Sequence, residues 1–340
     1  MHTMATVLFD IGHPASYHLF KNAMAELRRR GHRIEIIARQ KDCTEQLLTQ
    51  DGWPYTPIPR PGDGLLALGR QSLHTLAAVV QRARRTDAAI MAGISLVIGA
   101  ASRLTGATSL VFGDDDATVV RFYTKMAYPP AHFIVTPECL KFENYGTKHL
   151  TFRGYKELAY LHPNRFTPDP AIRDALGLTP DRRCFLVRLV ALTAHHDIGE
   201  RGLSADQART VINRLARHGR VFISAEGRLD DDLRQYALPT PANRILDVIA
   251  QADMVVGDSQ TMTAEAAVLG TPALRCNTFV GRLAYLTELE QKWGLSAGFT
   301  PDRFDDVLAQ VDAWLGEPNI KAIWQEKRQQ IGRASCRERV

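Results

Sequence analysis

Ile249–Asn277 reads IAQADMVVGDSQTMTAEAAVLGTPALRCN, and this stretch decides the fold. A helix end passes into a short apolar strand, Met254 to Val256. A polar turn, Gly257-Asp258-Ser259-Gln260-Thr261, follows, and then a helix of small residues from Met262 to Leu269. Gly270 suits the position just past a helix end, and Pro272 prevents the helix restarting. A second strand occupies Pro272 to Cys276. Strand, hydroxyl-rich turn and helix N-terminus together make a place for a phosphate, because first-turn N–H groups lack intrahelical acceptors and the helix dipole favours negative charge there. Ser259, Gln260, Thr261 and Thr263 line that place, and Glu265 is spaced to accept hydrogen bonds from sugar or ribose hydroxyls. The plain alternative is an ordinary turn whose Ser and Thr residues only cap the helix.

Working outward, strands and helices alternate on both sides of this stretch. Thr6–Ile11 (TVLFDI) is a continuous apolar run, as expected of a strand buried on both faces. A helix to Gly31, a strand at Ile34–Ala38 and a capping-box helix start at Asp42 and Glu45 follow. The pattern continues with an extended Pro54–Pro59, a helix Leu65–Arg85, strands at Ala88–Ala92, Thr108–Phe112 and His132–Thr136, and helices at Ser95–Leu104 and Thr118–Ala127. Such alternation predicts a parallel sheet with helices on both faces, and ligands then gather at the C-terminal ends of the strands. Periodicity fades between Tyr145 and Pro170, where Gly146, Gly154, Pro163, Pro168 and Pro170 suggest a linker. Alternation resumes with strands Cys184–Val190 and Arg220–Ser224, helices Ser204–His218, Leu229–Tyr236 and Ile245–Ala250, and closing helices Leu283–Trp293 and Phe304–Leu315. The domains expected are residues 1–145 and 171–330, joined by 146–170.

The last ten residues, IGRASCRERV, match the in-frame translation of a sequencing adapter, so 331–340 are set apart from the fold. The natural C-terminus is expected to be missing. Setting aside Arg333, Arg337, Arg339 and Glu338 lowers the formal charge from +5 to +3, which is no argument for nucleic acid. At 340 residues, 45% apolar and 23% charged, the chain has the composition of a globular protein with two cores. Cys43, Cys139, Cys184 and Cys276 are scattered, as in reduced cytoplasmic proteins. The longest apolar run, Ala88–Ala101, is too short for a transmembrane segment, and no secretion signal is seen. The expected location is cytoplasmic, with a peripheral place at the inner membrane face as the alternative.

Four groups carry the candidate chemistry. His13 follows the first strand and suits acid/base or phosphate-contact work, or else a local backbone bond. Asp114, Asp115 and Asp116 follow another strand, where repulsion could raise one pKa into a base range. Metal binding and helix capping are the other readings of that cluster. Arg188 lies inside an apolar strand and needs a carboxylate or a phosphate partner. His195 and His196 precede Asp197, but adjacent residues at a strand end point opposite ways, so no metal site is expected. His196 held by Asp197 beside a diphosphate is the preferred reading.

LFDIGHPASYHLFKNAMAELRRRGHRIEIIAR, VFGDDDA, TPECL, RLVALTAHHDIGERGL and GDSQTMTAEAAVLGTPALR together resemble domain-of-unknown-function family 354 over residues 5 to 330. That family is similar in organisation to UDP-N-acetylglucosamine 2-epimerases and lipid-linked glycosyltransferases. The resemblance implies an α/β GT-B-type fold, two Rossmann-like doubly wound domains facing a cleft. It implies that Ser259 to Thr263 hold a nucleotide diphosphate, that Glu265 holds ribose, and that Asp114 stands where the epimerases place a catalytic carboxylate. The epimerase loop reads Ser-Gly-Gly followed by Glu-Glu, and here Ser259-Gln260-Thr261 precedes Thr263-Ala264-Glu265. The expectation is therefore a metal-independent glycosyltransferase of surface polysaccharide or glycoconjugate synthesis. His13, Asp114 and Asp116 would be its catalytic groups, and Arg188 and His196 would join the loop at a UDP-linked or related nucleotide sugar. No bound cofactor is expected, and the acceptor would be a sugar or a lipid-linked sugar. An epimerase or a non-catalytic nucleotide-sugar binder are the alternatives.

Overall fold

The computed structural model describes residues 4–40, 43–58, 65–140, 144–190 and 200–336. The chain divides into two compact units, Met1–Tyr160 and Leu161–Val340. The division falls inside the stretch expected as a linker, but that stretch carries structure of its own.

The first unit contains β1 (Thr6–Ile11), α1 (Pro14–Arg29), β2 (Arg33–Arg39), α2 (Thr44–Gln50), β3 (Thr56–Ile58), α3 (Leu65–Thr86) and β4 (Ala88–Gly93). Then come α4 (Ile98–Thr105), β5 (Thr108–Phe112), α5 (Arg121–Ala127), β6 (Phe133–Pro137), β7 (His149–Phe152) and α6 (Leu158–Leu161), which runs across the division. The sheet order is β3-β2-β1-β4-β5-β6-β7, and the pairs are parallel. Order reverses between β1 and β4, so their C-terminal ends flank the crevice in which doubly wound sheets bind ligands. Both faces of β1 are covered. Val7, Phe9 and Ile11 pack with Phe20, Met24 and Trp53 of the α1–α2 side. Leu8 points the other way, into a core with Val79, Ile98, Ala101 and Tyr128.

The second unit contains α7 (Ile172–Ala175), β8 (Cys184–Leu189), α8 (Ala205–Ala216), β9 (Arg220–Ala225), α9 (Ile245–Gln251), β10 (Met254–Gly257) and α10 (Gln260–Leu269). It closes with β11 (Ala273–Cys276), α11 (Ala284–Gln291), β12 (Ser296–Phe299), α12 (Phe304–Leu315) and α13 (Ile320–Cys336). Its parallel sheet runs β12-β11-β10-β8-β9, with the reversal between β8 and β10. Helix α13 docks on the carboxyl end of α10. Trp324 Nε1 donates to Leu295 O at 2.8 Å, Gln325 Nε2 to Leu269 O at 2.9 Å, and Arg328 Nε to Val268 O at 2.8 Å.

Several elements differ from the sequence reading. Helix α4 begins at Ile98 instead of Ser95, because Ser95 Oγ accepts from Val97 N and holds a turn there. Helix α5 begins at Arg121 instead of Thr118, after a turn in which Asp116 O accepts from Val119 N and Val120 N. The helix expected over Leu229–Tyr236 reduces to a single 3₁₀ turn at Arg234–Tyr236, since Asp230 and Asp232 are drawn onto Arg209 at 2.5 and 2.8 Å. Strands β7 and β12 were not expected. Asp42 of the expected capping box lies outside the described residues, and the N-cap of α2 is Cys43, whose side chain makes no capping bond.

Candidate functional site

The turn after β10 is built by close backbone packing. Gly257 pairs with Arg188 of β8, and a Cβ on Gly257 would lie 2.2 Å from Arg188 O, so this register admits glycine alone. Asp258 follows, buried, with Oδ1 accepting from Val190 N at 2.8 Å. Burial outweighs that bond and pushes its carboxyl up to about 7. A Cβ on Gly202 would lie 2.3 Å from Asp258 Oδ2, so the chain at 200–202 also presses on this turn. Thr278 fixes that segment, Arg201 N donating to its Oγ1 and Thr278 N to Arg201 O, each at 2.9 Å.

Ser259 is the N-cap of α10, in extended backbone, and its Oγ accepts from Met262 N at 3.3 Å. Thr263 Oγ1 donates to Ser259 O at 2.7 Å. Capping therefore occurs, and it leaves the Ser259 O–H free to rotate toward a ligand. Gln260 and Thr261 are half-buried at the tip, and Glu265 is buried one turn further in. Helix α10 ends at Gly270 in the left-handed region (φ 73°), as the sequence implies. Ser259→Ala is expected to lower stability by about 1 kcal/mol through loss of the cap, read from a urea unfolding curve. An unchanged midpoint would mean that the cap contributes nothing.

Arg188 has the carboxylate partner its position demands: Nη2 donates to Glu226 Oε1 at 2.5 Å and Nη1 to Ser224 Oγ at 2.9 Å. His195, His196 and Asp197 lie outside the described residues. One group behind the turn escaped the sequence reading. Arg275 of β11 is wholly buried, and its Nη2 donates to Glu290 Oε1 at 2.9 Å and its Nη1 to Asn277 Oδ1 at 3.1 Å. Asn277 in turn donates through Nδ2 to Asp258 O at 2.7 Å. A buried cation is thus wired to the base of the phosphate-type turn. A charged residue inside TPALRCN was the available signal.

In the first unit, His13 is the exposed N-cap of α1, and its Nδ1 accepts from Ala15 N at 3.2 Å. The neutral ring then carries its proton on Nε2. The aspartates after β5 are not equivalent. Lys156 Nζ lies 2.7 Å from Asp114 Oδ2. Burial pushes Asp114 up, but the Lys156 charge and hydrogen bond, with His13 adding, hold it below the ordinary value. Asp115 is pushed up to about 7 by burial and by the Asp114 charge. Asp116 is buried at the head of the turn into α5. Burial and the Asp114 charge thus raise Asp115, which the sequence reading passed over in favour of Asp114 and Asp116, while Lys156 lowers Asp114. Among the described residues no three His, Cys, Asp or Glu side chains converge as a metal site.

Solved structures share this fold over nearly the whole chain. The glycosyltransferase of kitacinnamycin matches with a TM-score of 0.62 at 13% identity, covering 98% of this chain and 96% of its own. The UDP-GlcNAc 2-epimerase from Methanocaldococcus jannaschii matches with a TM-score of 0.65 at 11% identity, covering 92% and 93%. The fold is GT-B. MurG from Acinetobacter baumannii is similar too, with a TM-score of 0.58 at 14% identity, covering 96% and 95%. No protein-family model and no curated protein sequence matches the chain. Each of the two turns described above follows the carboxyl end of a strand of its own parallel sheet.

Proposed function

We propose that the chain is a nucleotide-sugar-dependent glycosyltransferase with a UDP-linked or related donor. The observation that carries this reading is the open N-terminus of α10 at the order reversal of the second sheet. There, N–H groups and the Ser259 and Thr261 hydroxyls suit a diphosphate leaving group. Glu265 would take ribose hydroxyls, and Arg188 and His196 would add positive charge. In the first unit Asp115 would deprotonate an acceptor hydroxyl, with Asp114 and Lys156 fixed as its neighbours and His13 and Asp116 contributing to proton transfer. The role we assign it is surface polysaccharide or glycoconjugate synthesis, on a sugar or lipid-linked acceptor. The carboxylates would also suit proton transfer at a sugar carbon, as in an epimerase. The absence of the Ser-Gly-Gly and Glu-Glu elements from the loop favours transfer.

The test is incubation with UDP- and dTDP-sugars, with and without an acceptor extract and with EDTA. Release of the nucleoside diphosphate is expected only with acceptor, and EDTA is expected to leave it unchanged. Glu265→Gln is expected to weaken nucleotide binding by roughly tenfold, the scale of one charge-assisted hydrogen bond. Epimerised sugar formed without acceptor would overturn transfer, and failure to bind any nucleotide would sink the whole reading.

A further inference from the structure

Strand β2 carries an arginine at each end, and only one of them is paired. Arg33, at the amino end, donates to Glu35 Oε1 at 2.8 Å, and Arg82 of α3 donates to Oε2 of the same carboxylate at 2.6 Å. Arg39, at the carboxyl end, is half-buried. Its Nε is enclosed without a hydrogen-bond partner, and no acceptor among the described residues meets its Nη groups. Taking part of a guanidinium out of water costs solvation, which the paired arginines offset with their partners. Arg39 has no such offset among the described residues.

Its place is the end of the sheet where ligands gather. The β1–β2 register runs to Ile11 and Ala38, and Gly12 and Arg39 come next on the two chains. A Cβ on Gly12 would lie 3.6 Å from Arg39 Cζ and Nε, which is ordinary van der Waals contact. Gly12 also stands outside the left-handed region. Neither backbone nor packing requires glycine here, and the absent side chain leaves this part of the guanidinium uncovered. Solvent reaches the turn, since Gly12 is half-buried and His13 exposed. The first turn of α1 has no spare amide for an anion. Pro14 lacks an N–H, Ala15 N donates to His13 Nδ1 at 3.2 Å, and Ser16 N and Tyr17 N donate to His13 O at 3.0 and 3.2 Å. Positive charge for an anion at this turn comes from Arg39 instead.

We propose that Arg39, over the open backbone of Gly12, receives an oxyanion carried by the acceptor, the carboxylate of a uronic acid or the phosphate of a sugar phosphate. A guanidinium presents parallel N–H bonds that match two oxygens of such a group, and here the Nη edge is the one left for it. The aspartates after β5 do not oppose this. From β2 to β5 is three strand spacings, about 14 Å, which exceeds the screening length of roughly 8 Å at physiological salt. The inference rests on the reading that the first unit takes the acceptor, and it narrows that acceptor to an acidic sugar.

The full chain is titrated with glucuronate, glucose 6-phosphate and glucose at neutral pH by ligand-detected magnetic resonance, with UDP titrated separately. At least one acidic sugar is expected to bind roughly tenfold more tightly than glucose, the scale of one charge-assisted contact. Which of the two does so identifies the source of the oxyanion. Arg39→Gln should erase that preference and leave thermal melting unchanged, because the side chain has no bond to lose. Arg39→Lys keeps the charge without the fork and should retain only part of the preference; it decides if the glutamine variant does not fold. Equal binding of the three sugars, no binding of either acid, or a preference that survives in folded Arg39→Gln would overturn the proposal. So would weaker UDP binding in that variant, which would give Arg39 to the donor. Binding of UDP to the unaltered protein alongside any of those results leaves the nucleotide-sugar reading standing, and its failure to bind UDP counts against that reading instead.

Discussion

Arg275→Met is expected to lower stability by about 3–5 kcal/mol, the scale for removing one partner of a buried ion pair. The change leaves the Glu290 carboxylate enclosed without its guanidinium. Asn277 also loses a donor while it holds Asp258 O, so the turn before α10 loosens as well. Because desolvation offsets most of the attraction within such a pair, the double variant Arg275→Met, Glu290→Leu should regain most of the loss. Urea unfolding of the three proteins checks this. A single-variant loss below about 1 kcal/mol, the scale of an exposed pair, would show that Arg275 is solvated after all.

Asp115→Asn is expected to reduce turnover by about 10²–10⁴-fold, the range for a lost general base, with UDP affinity unchanged. In the unaltered protein, activity should rise with pH through about 7, as Asp115 gives up its proton. That limb should vanish in the variant. Stability should move the other way. Asp115 and Asp258 are both raised from 3.8 to about 7, so between those values the native state keeps protons that the unfolded chain has released. Stability at these groups is therefore greatest below about 4 and falls as pH rises toward 7. Asn at 115 should remove one share of that slope. Unaltered turnover in Asp115→Asn would take the base role away from it.

Much of the fold was legible because buried parallel strands leave continuous apolar runs. TVLFDI and CFLVRLV could be placed at once, and so could Gly270 as the stop of α10. What failed did so for identifiable reasons. Strand β12 (SAGF) has too few large apolar residues to announce itself, and it exists because β11 supplies its partner register. Strand β7 lies at the sheet edge, with Leu150 and Thr151 exposed, and carries no strong alternation. The candidate residues were found wherever a polar group followed a strand. The one missed, Arg275, sits inside an apolar strand, where the argument applied to Arg188 would have found it. The pairing of Lys156 with Asp114 spans 42 residues and no local pattern encodes it. That pairing is what holds Asp114 below the ordinary carboxylate range.

Helix α10 is gripped at one end and open at the other. Gln325 and Arg328 of α13 fill the carbonyl end, while the amide end faces the turn at Ser259. The cationic side chain at the carbonyl pole offsets the negative end of the dipole, while the positive end meets the Ser259 cap. Helix α13 thus works as a remote counterweight. On the proposed donor reading, a substitution at Arg328, at the far end of α10, would alter how strongly the turn holds a diphosphate without touching it.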